Sequence, residues 1–116
     1  MLRSEGKKII MNECDYGLEL PIKLSGDILA TDKIVFSIMK SLYEEEKIIR
    51  KEYTDLSEDD GKLVFALSFT KEETKLLPAG NYTYLIQQCR DCELHNTIED
   101  NGIFEVKKGC TPWILK

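Results

Sequence analysis

No apolar run in this chain exceeds five residues, and the longest, Leu63-Val64-Phe65-Ala66-Leu67, falls far short of the ~20 needed to cross a bilayer as a helix. A membrane partner is therefore not expected. The N-terminal stretch Met1-Leu2-Arg3-Ser4-Glu5-Gly6-Lys7-Lys8 is followed by no hydrophobic segment of signal-peptide length before Asn12, Glu13 and Asp15, so a standard export signal is not expected either. Positive charge is also short. With 21 acidic and 16 basic residues the net charge is -5, and no Lys/Arg tract compensates locally, so nucleic acid is not an expected partner. Histidine occurs once, at His95, which excludes a two-histidine metal site in a single chain and leaves a serine triad without a recognisable setting. Phosphate loops, nucleophile elbows and paired-histidine zinc helices are missing.

What is present points to a globular core. At 116 residues, with 42% hydrophobic and 32% charged side chains, the chain reads as one domain over 1–116, with a core over about 7–108 and a tail over 109–116. Its hydrophobic period is two. In Tyr16-Gly17-Leu18-Glu19-Leu20-Pro21-Ile22-Lys23-Leu24 every even position is apolar, and Pro21 on the other face marks an edge strand. Ile34, Phe36 and Ile38 repeat the alternation after a Thr31-Asp32 turn. Lys47 to Tyr53 reads as a charged strand near a sheet edge. Beyond the Asp60-Gly61 turn, Leu63, Phe65, Leu67 and Phe69 alternate as a central strand.

Thr70-Lys71-Glu72-Glu73 has capping-box spacing, and Pro78 and Gly80 limit the helix it starts to about two turns. Tyr82, Tyr84 and Ile86 then share one strand face. Cys89-Arg90-Asp91-Cys92 reads as a reversal, and the chain returns through Leu94 to Ile98 and, past an Asn101-Gly102 turn, through Ile103 to Lys107. This spacing predicts an all-β antiparallel sandwich of about seven to eight strands with one short helical turn. Alternation places Val35, Met39, Val64 and Leu85 opposite the core residues, as an apolar outer patch open to docking.

Three segments taken in order carry a family pattern: Leu18 to Leu24 followed by Asp32 to Ile38; Asp60 to Tyr84; and Thr97 to Val106. Together they resemble the N-terminal domain of phage baseplate upper proteins, an immunoglobulin-like sandwich of phage and prophage tails. The resemblance implies an immunoglobulin-like fold and a non-catalytic virion structural role, with contacts to other tail or baseplate proteins or to itself. It also implies a location in the virion tail or, before assembly, in the bacterial cytoplasm. Within the middle segment, Gly80 permits a sharp bend and Tyr82 can bond back to the preceding loop, an arrangement resembling a tyrosine corner.

Cys89 and Cys92 are the pair whose spacing could carry chemistry, as zinc ligands or as a reducible disulfide. Structural zinc wants four N/S ligands, and the remaining candidates, Cys14, His95 and Cys110, form no second spaced pair. A redox role wants a helix start in a βαβ setting. Free thiols are the expectation, with one geometric alternative: adjacent first and last strands would bring Cys14 near Cys110. Carboxylates such as Asp59 and Asp60 suggest glycoside hydrolysis only where a deep cleft exists, so no catalytic residue and no cofactor is expected. Trp113, Ile114 and Leu115 form an apolar tail that must dock, on this chain or on a neighbour. A second reading is a carbohydrate- or peptide-binding accessory domain using Tyr43, Tyr53 and Tyr84. A small zinc- or redox-dependent domain ranks third.

Overall fold

The computed structural model describes residues 2–13, 15–40, 47–54, 56–91 and 93–109, side chains at 100 and 101 excepted. An N-terminal hairpin opens the chain, β1 (Leu2–Glu5) and β2 (Lys8–Asn12), turning at Gly6 with φ +61°. There follow β3 (Glu19–Leu24), β4 (Lys33–Met39), β5 (Ile49–Tyr53), β6 (Ser57–Asp59) and β7 (Lys62–Ser68). A four-residue helix α1 (Lys71–Thr74) crosses over to β8 (Gly80–Arg90), and β9 (Glu93–Lys107) returns. Two sheets result, ordered β1-β2-β9-β8-β4-β5 and β3-β7-β6.

Between them lies an apolar core. Phe36 on β4 stacks on Tyr84 of β8 with centroids 5.4 Å apart, Phe69 meets Phe104 edge-on at 5.6 Å, and Phe65, Leu67 and Leu24 close the layer from the second sheet. Aromatic pairs in these geometries add to what their buried area contributes. Strand order and crossovers are those of an immunoglobulin-like sandwich, in which a hairpin-rich sheet built on the last strands faces a smaller sheet.

The strands differ from the sequence reading in four respects. The described residues hold nine strands: the β1–β2 hairpin and the short, exposed β6 are additional to those read from alternation, while the two segments expected on either side of Asn101-Gly102 are the single β9. One pairing is parallel: β2 runs alongside β9 with Lys8 opposite Ile103 and Asn12 opposite Lys107. Tyr16 and Leu18 are exposed and precede β3, so the ordered strand is shorter than its apolar alternation. Asn101-Gly102 is not a turn but part of the continuous β9, with Gly102 opposite Tyr84. A Cβ there would lie 2.2 Å from the Tyr84 ring, so glycine is required by the aromatic face lying over it.

The expected outer patch is not one surface. Val64 lies on the three-stranded sheet and Val35, Met39 and Leu85 on the other, and the first three are buried while Leu85 is half-buried. Pro21 does sit on an edge strand, since β3 ends its sheet.

Candidate functional site

The 25–32 loop and Asp91 lie at one end of the sandwich, because the end of β3 and the start of β4 meet the start of β7 and the end of β8 in their ladders. A buried polar network ties them together. Asp32, 2% exposed, has both carboxylate oxygens bonded: Oδ1 accepts from Arg90 Nε at 2.9 Å, and Oδ2 from Arg90 Nη2 at 2.8 Å, Gln88 Nε2 at 2.7 Å and the Leu29 amide at 2.9 Å. Gln88 and Arg90 also donate to the Asp27 carbonyl, at 3.0 and 3.2 Å. The bidentate Arg90 guanidinium, joined by the Leu29 and Gln88 donors, holds the Asp32 carboxyl well below the usual carboxylate range, outweighing the opposing effect of burial.

At the other end, Thr70 and Glu73 form a reciprocal capping box. The Thr70 amide donates to Glu73 Oε1 at 2.8 Å, and the Glu73 amide donates to Thr70 Oγ1 at 3.2 Å. Glu73 Oε1 also meets Lys51 Nζ at 2.9 Å, and Lys51 lies over the Phe69 ring. Gly80 begins β8 at φ +153°, which side chains rarely adopt, and the Tyr82 hydroxyl donates to the Pro78 carbonyl at 2.6 Å. That last bond is a tyrosine corner.

Among the described residues, grooves open at two places relevant to the loops and the sheet edges. One, of about 250 Å³, lies at the loop end between Ser25, Gly26 and Ile28 on one side and Gly61, Lys62 and Leu63 on the other. The second, about 240 Å³, runs between the β1–β2 hairpin and the outer edge of β3; its floor is Ile9, Tyr84, Ile86 and Ile98, and its rim carries Lys7, Lys23 and Glu99. The Tyr84 hydroxyl donates to the Lys7 carbonyl at 2.5 Å, and burial, helped by the Glu99 charge, pushes its pKa up to about 12.

The residues singled out from sequence are scattered. Cys89 is a free, half-buried thiol on β8, while Cys14, Cys92 and Cys110 lie outside the described residues, as do Tyr43, Trp113, Ile114 and Leu115. The parallel β2–β9 ladder does bring the segments before Cys14 and Cys110 side by side, with Glu13 N donating to the Lys107 carbonyl at 2.8 Å. His95 is exposed on β9. Among the described residues no group of three His, Cys, Asp or Glu side chains could hold a metal ion, and no helix is long and apolar enough to cross a membrane. Tyr84 is 4% exposed and Tyr53 half-buried against Phe65 at 4.7 Å, so neither offers the open ring face a sugar-stacking site requires.

Sequence reasoning missed the Asp32–Gln88–Arg90 network. A signal existed: Gln88 continues the inward register of Tyr82, Tyr84 and Ile86, and a polar side chain at a core position demands a buried partner. No protein-family model matches the chain, and no curated protein matches its sequence.

Proposed function

We propose that this chain is a non-catalytic structural module that works through protein–protein contacts, with the tail or baseplate of a phage or prophage as its setting. The observation that carries the reading is the state of Asp32. The most deeply buried carboxylate among the described residues accepts four hydrogen bonds that hold a loop in place, which leaves it no capacity to transfer a proton or ligate a metal. Both grooves are smaller than the ~300–1,000 Å³ typical of small-molecule sites, which favours recognition by surface over an enclosed substrate. The resemblance of the strand and turn pattern to baseplate upper proteins supports the setting.

The test is assembly. Co-expression with phage tail and baseplate proteins, followed by size-exclusion chromatography with light scattering, should yield a complex of fixed stoichiometry or a defined self-assembly. A chain that stays monomeric with every such protein overturns the reading. Replacing Trp113 and Leu115 by alanine should weaken the assembly; an unchanged complex removes the tail segment from the contact.

A further inference from the structure

Two crossovers cap the end of the sandwich opposite Asp32. One leads from β2 in the larger sheet through Glu13 and Asp15–Leu18 to β3 in the smaller; the other leads back from β7 through α1 to β8. They run past each other in opposite directions, joined near both ends. The Ala79 amide donates to Glu13 Oε2 at 3.3 Å, and the Gly17 amide donates to the Phe69 carbonyl at 3.1 Å. Both crossovers present apolar side chains to solvent. Tyr16, Leu18 and Leu76 are 55%, 45% and 55% exposed, half of the six large hydrophobic side chains left in solvent among the described residues. Tyr16 and Leu18 also line a shallow dent with Leu2, Met11 and Phe69. A single exposed apolar residue is ordinary, but three on adjoining segments make a patch that gains free energy when covered.

The chain leaves its last strand at this same end. Gly109 lies against Asn12, so closely that a Cβ on it would stand 3.0 Å from Asn12 Cβ. The Asp15 amide donates to the Asn12 carbonyl at 3.2 Å, which keeps Asp15 within about 7 Å of Asn12, with Tyr16 next in sequence. Seven residues follow Gly109, Cys110-Thr111-Pro112-Trp113-Ile114-Leu115-Lys116. Trp113, four residues on, has a reach of up to ~14 Å, enough to meet Tyr16. A tether of three residues also holds Trp113, Ile114 and Leu115 beside the patch at an effective concentration on the order of mM, which a second copy or a partner at micromolar concentration does not match.

We infer that this crossover end is the seat of the chain's own apolar tail, with Trp113, Ile114 and Leu115 folded back over Tyr16, Leu18 and Leu76. The seat is a property of the single chain and holds whether or not the chain joins a larger assembly. A partner contact that uses the tail meets it already seated.

Trp113 is the chain's single tryptophan, so its fluorescence reports the seat without a label. In the full chain at low micromolar concentration its emission should be blue-shifted from that of the urea-unfolded protein and shielded from acrylamide. The double variant Leu18→Asp, Leu76→Asp changes only exposed positions. It should keep the far-ultraviolet circular dichroism of the parent while its emission moves to the red and its quenching rises toward the unfolded value. Leu94→Asp, an exposed change on another part of the surface, should alter neither. A parent Trp113 as open to acrylamide as in urea overturns the proposal, and so does a shielded one that the double variant leaves unmoved. Nuclear Overhauser contacts from the Trp113 ring to Tyr16 and Leu76 in the parent chain decide the matter should the double variant fail to fold; their absence overturns the seat. In a mixture of isotopically labelled and unlabelled chains these contacts should arise within one chain, and contacts found only between chains overturn the choice of the chain's own tail in favour of a second copy's. If Trp113 is seated and no complex with tail proteins forms, the seat stands and the contact-module reading falls.

Discussion

At one end of the sandwich a buried carboxylate, Asp32, ties the β3–β4 loop to the last residues of β8; at the other, a capped helical turn and a tyrosine hydroxyl fix the crossover from β7 to β8. The two devices do the same work with different stakes. Asp32 and Gln88 are almost wholly out of water, so each bond there replaces hydration that cannot be regained while the fold persists. The capping box is exposed, and water can stand in for either partner. Similar hydrogen-bond lengths at the two ends therefore correspond to very different energies.

Removing Asp32 should produce the largest effect. Asp32→Ala strips Arg90 of its bidentate partner and leaves the Gln88 amide buried, with the Asp27 carbonyl still in reach. Arg90 keeps 24% of its side chain exposed and can recover some hydration, which places the loss near 3 kcal/mol, the lower part of the range for a broken buried pair. Urea denaturation should show a lower midpoint with an unchanged slope. A loss below about 1 kcal/mol would mean that the buried end is no more demanding than the exposed one.

Acid should discriminate between the ends next. The Asp32 carboxyl is held down in the folded chain, chiefly by Arg90, whereas in the unfolded chain it titrates near the ordinary ~4. A depressed folded pKa contributes stability that is present above the unfolded value and lost as pH falls toward the folded one. Stability should thus decline below about pH 4, and an Asp32→Asn variant, already weakened at neutral pH, should show a flatter acid limb in denaturation midpoints taken at several pH values. Equal acid slopes in the two proteins would assign the decline to other carboxylates, of which Glu73 is also shifted downward at the opposite end.

How far each device could be read in advance follows from its span along the chain. Thr70 and Glu73 are three residues apart and Tyr82 is four from Pro78, so spacing rules reach both. Asp32 is separated from Gln88 and Arg90 by 56 and 58 positions, and only the folded sheet makes them neighbours. The same division governs the strands. β8 buries an alternating face, and β4 and β7, whose burial extends to both faces, still carry their inward sets at every second position, so all three are visible in the sequence, while the β2–β9 pairing is parallel and joins segments far apart in the chain, beyond any local pattern. At Gly102 a local rule misleads, because the Asn-Gly signal for a turn is overridden by a tertiary demand for space beneath the Tyr84 ring.

The tyrosine corner should rank third. Tyr82→Phe keeps the buried ring and deletes the hydroxyl, leaving the Pro78 carbonyl without its 2.6 Å donor. Because that carbonyl is only partly buried, water recovers some of the bond, and a loss of about 1 kcal/mol is expected from chemical denaturation. A loss as large as that of Asp32→Ala would place the greater strain of the fold at the crossover and reverse the comparison.

The smallest effect should come from Thr70→Ala, which removes an N-cap from a helix of four residues. Cap deletions usually cost about 1 kcal/mol, but here half of the reciprocal box survives: Glu73 Oε1 still accepts from the residue 70 amide and still meets Lys51. An expected loss of about 0.5 kcal/mol follows, with Thr70→Ser near the parent value, both measurable from thermal midpoints. The double variant Thr70→Ala, Asp32→Ala sharpens the test, since the two sites share no partner and their costs should add within about 0.5 kcal/mol. A coupling well beyond that would show that the two ends communicate through β8, the strand that carries Tyr82 at its start and Gln88 and Arg90 at its finish.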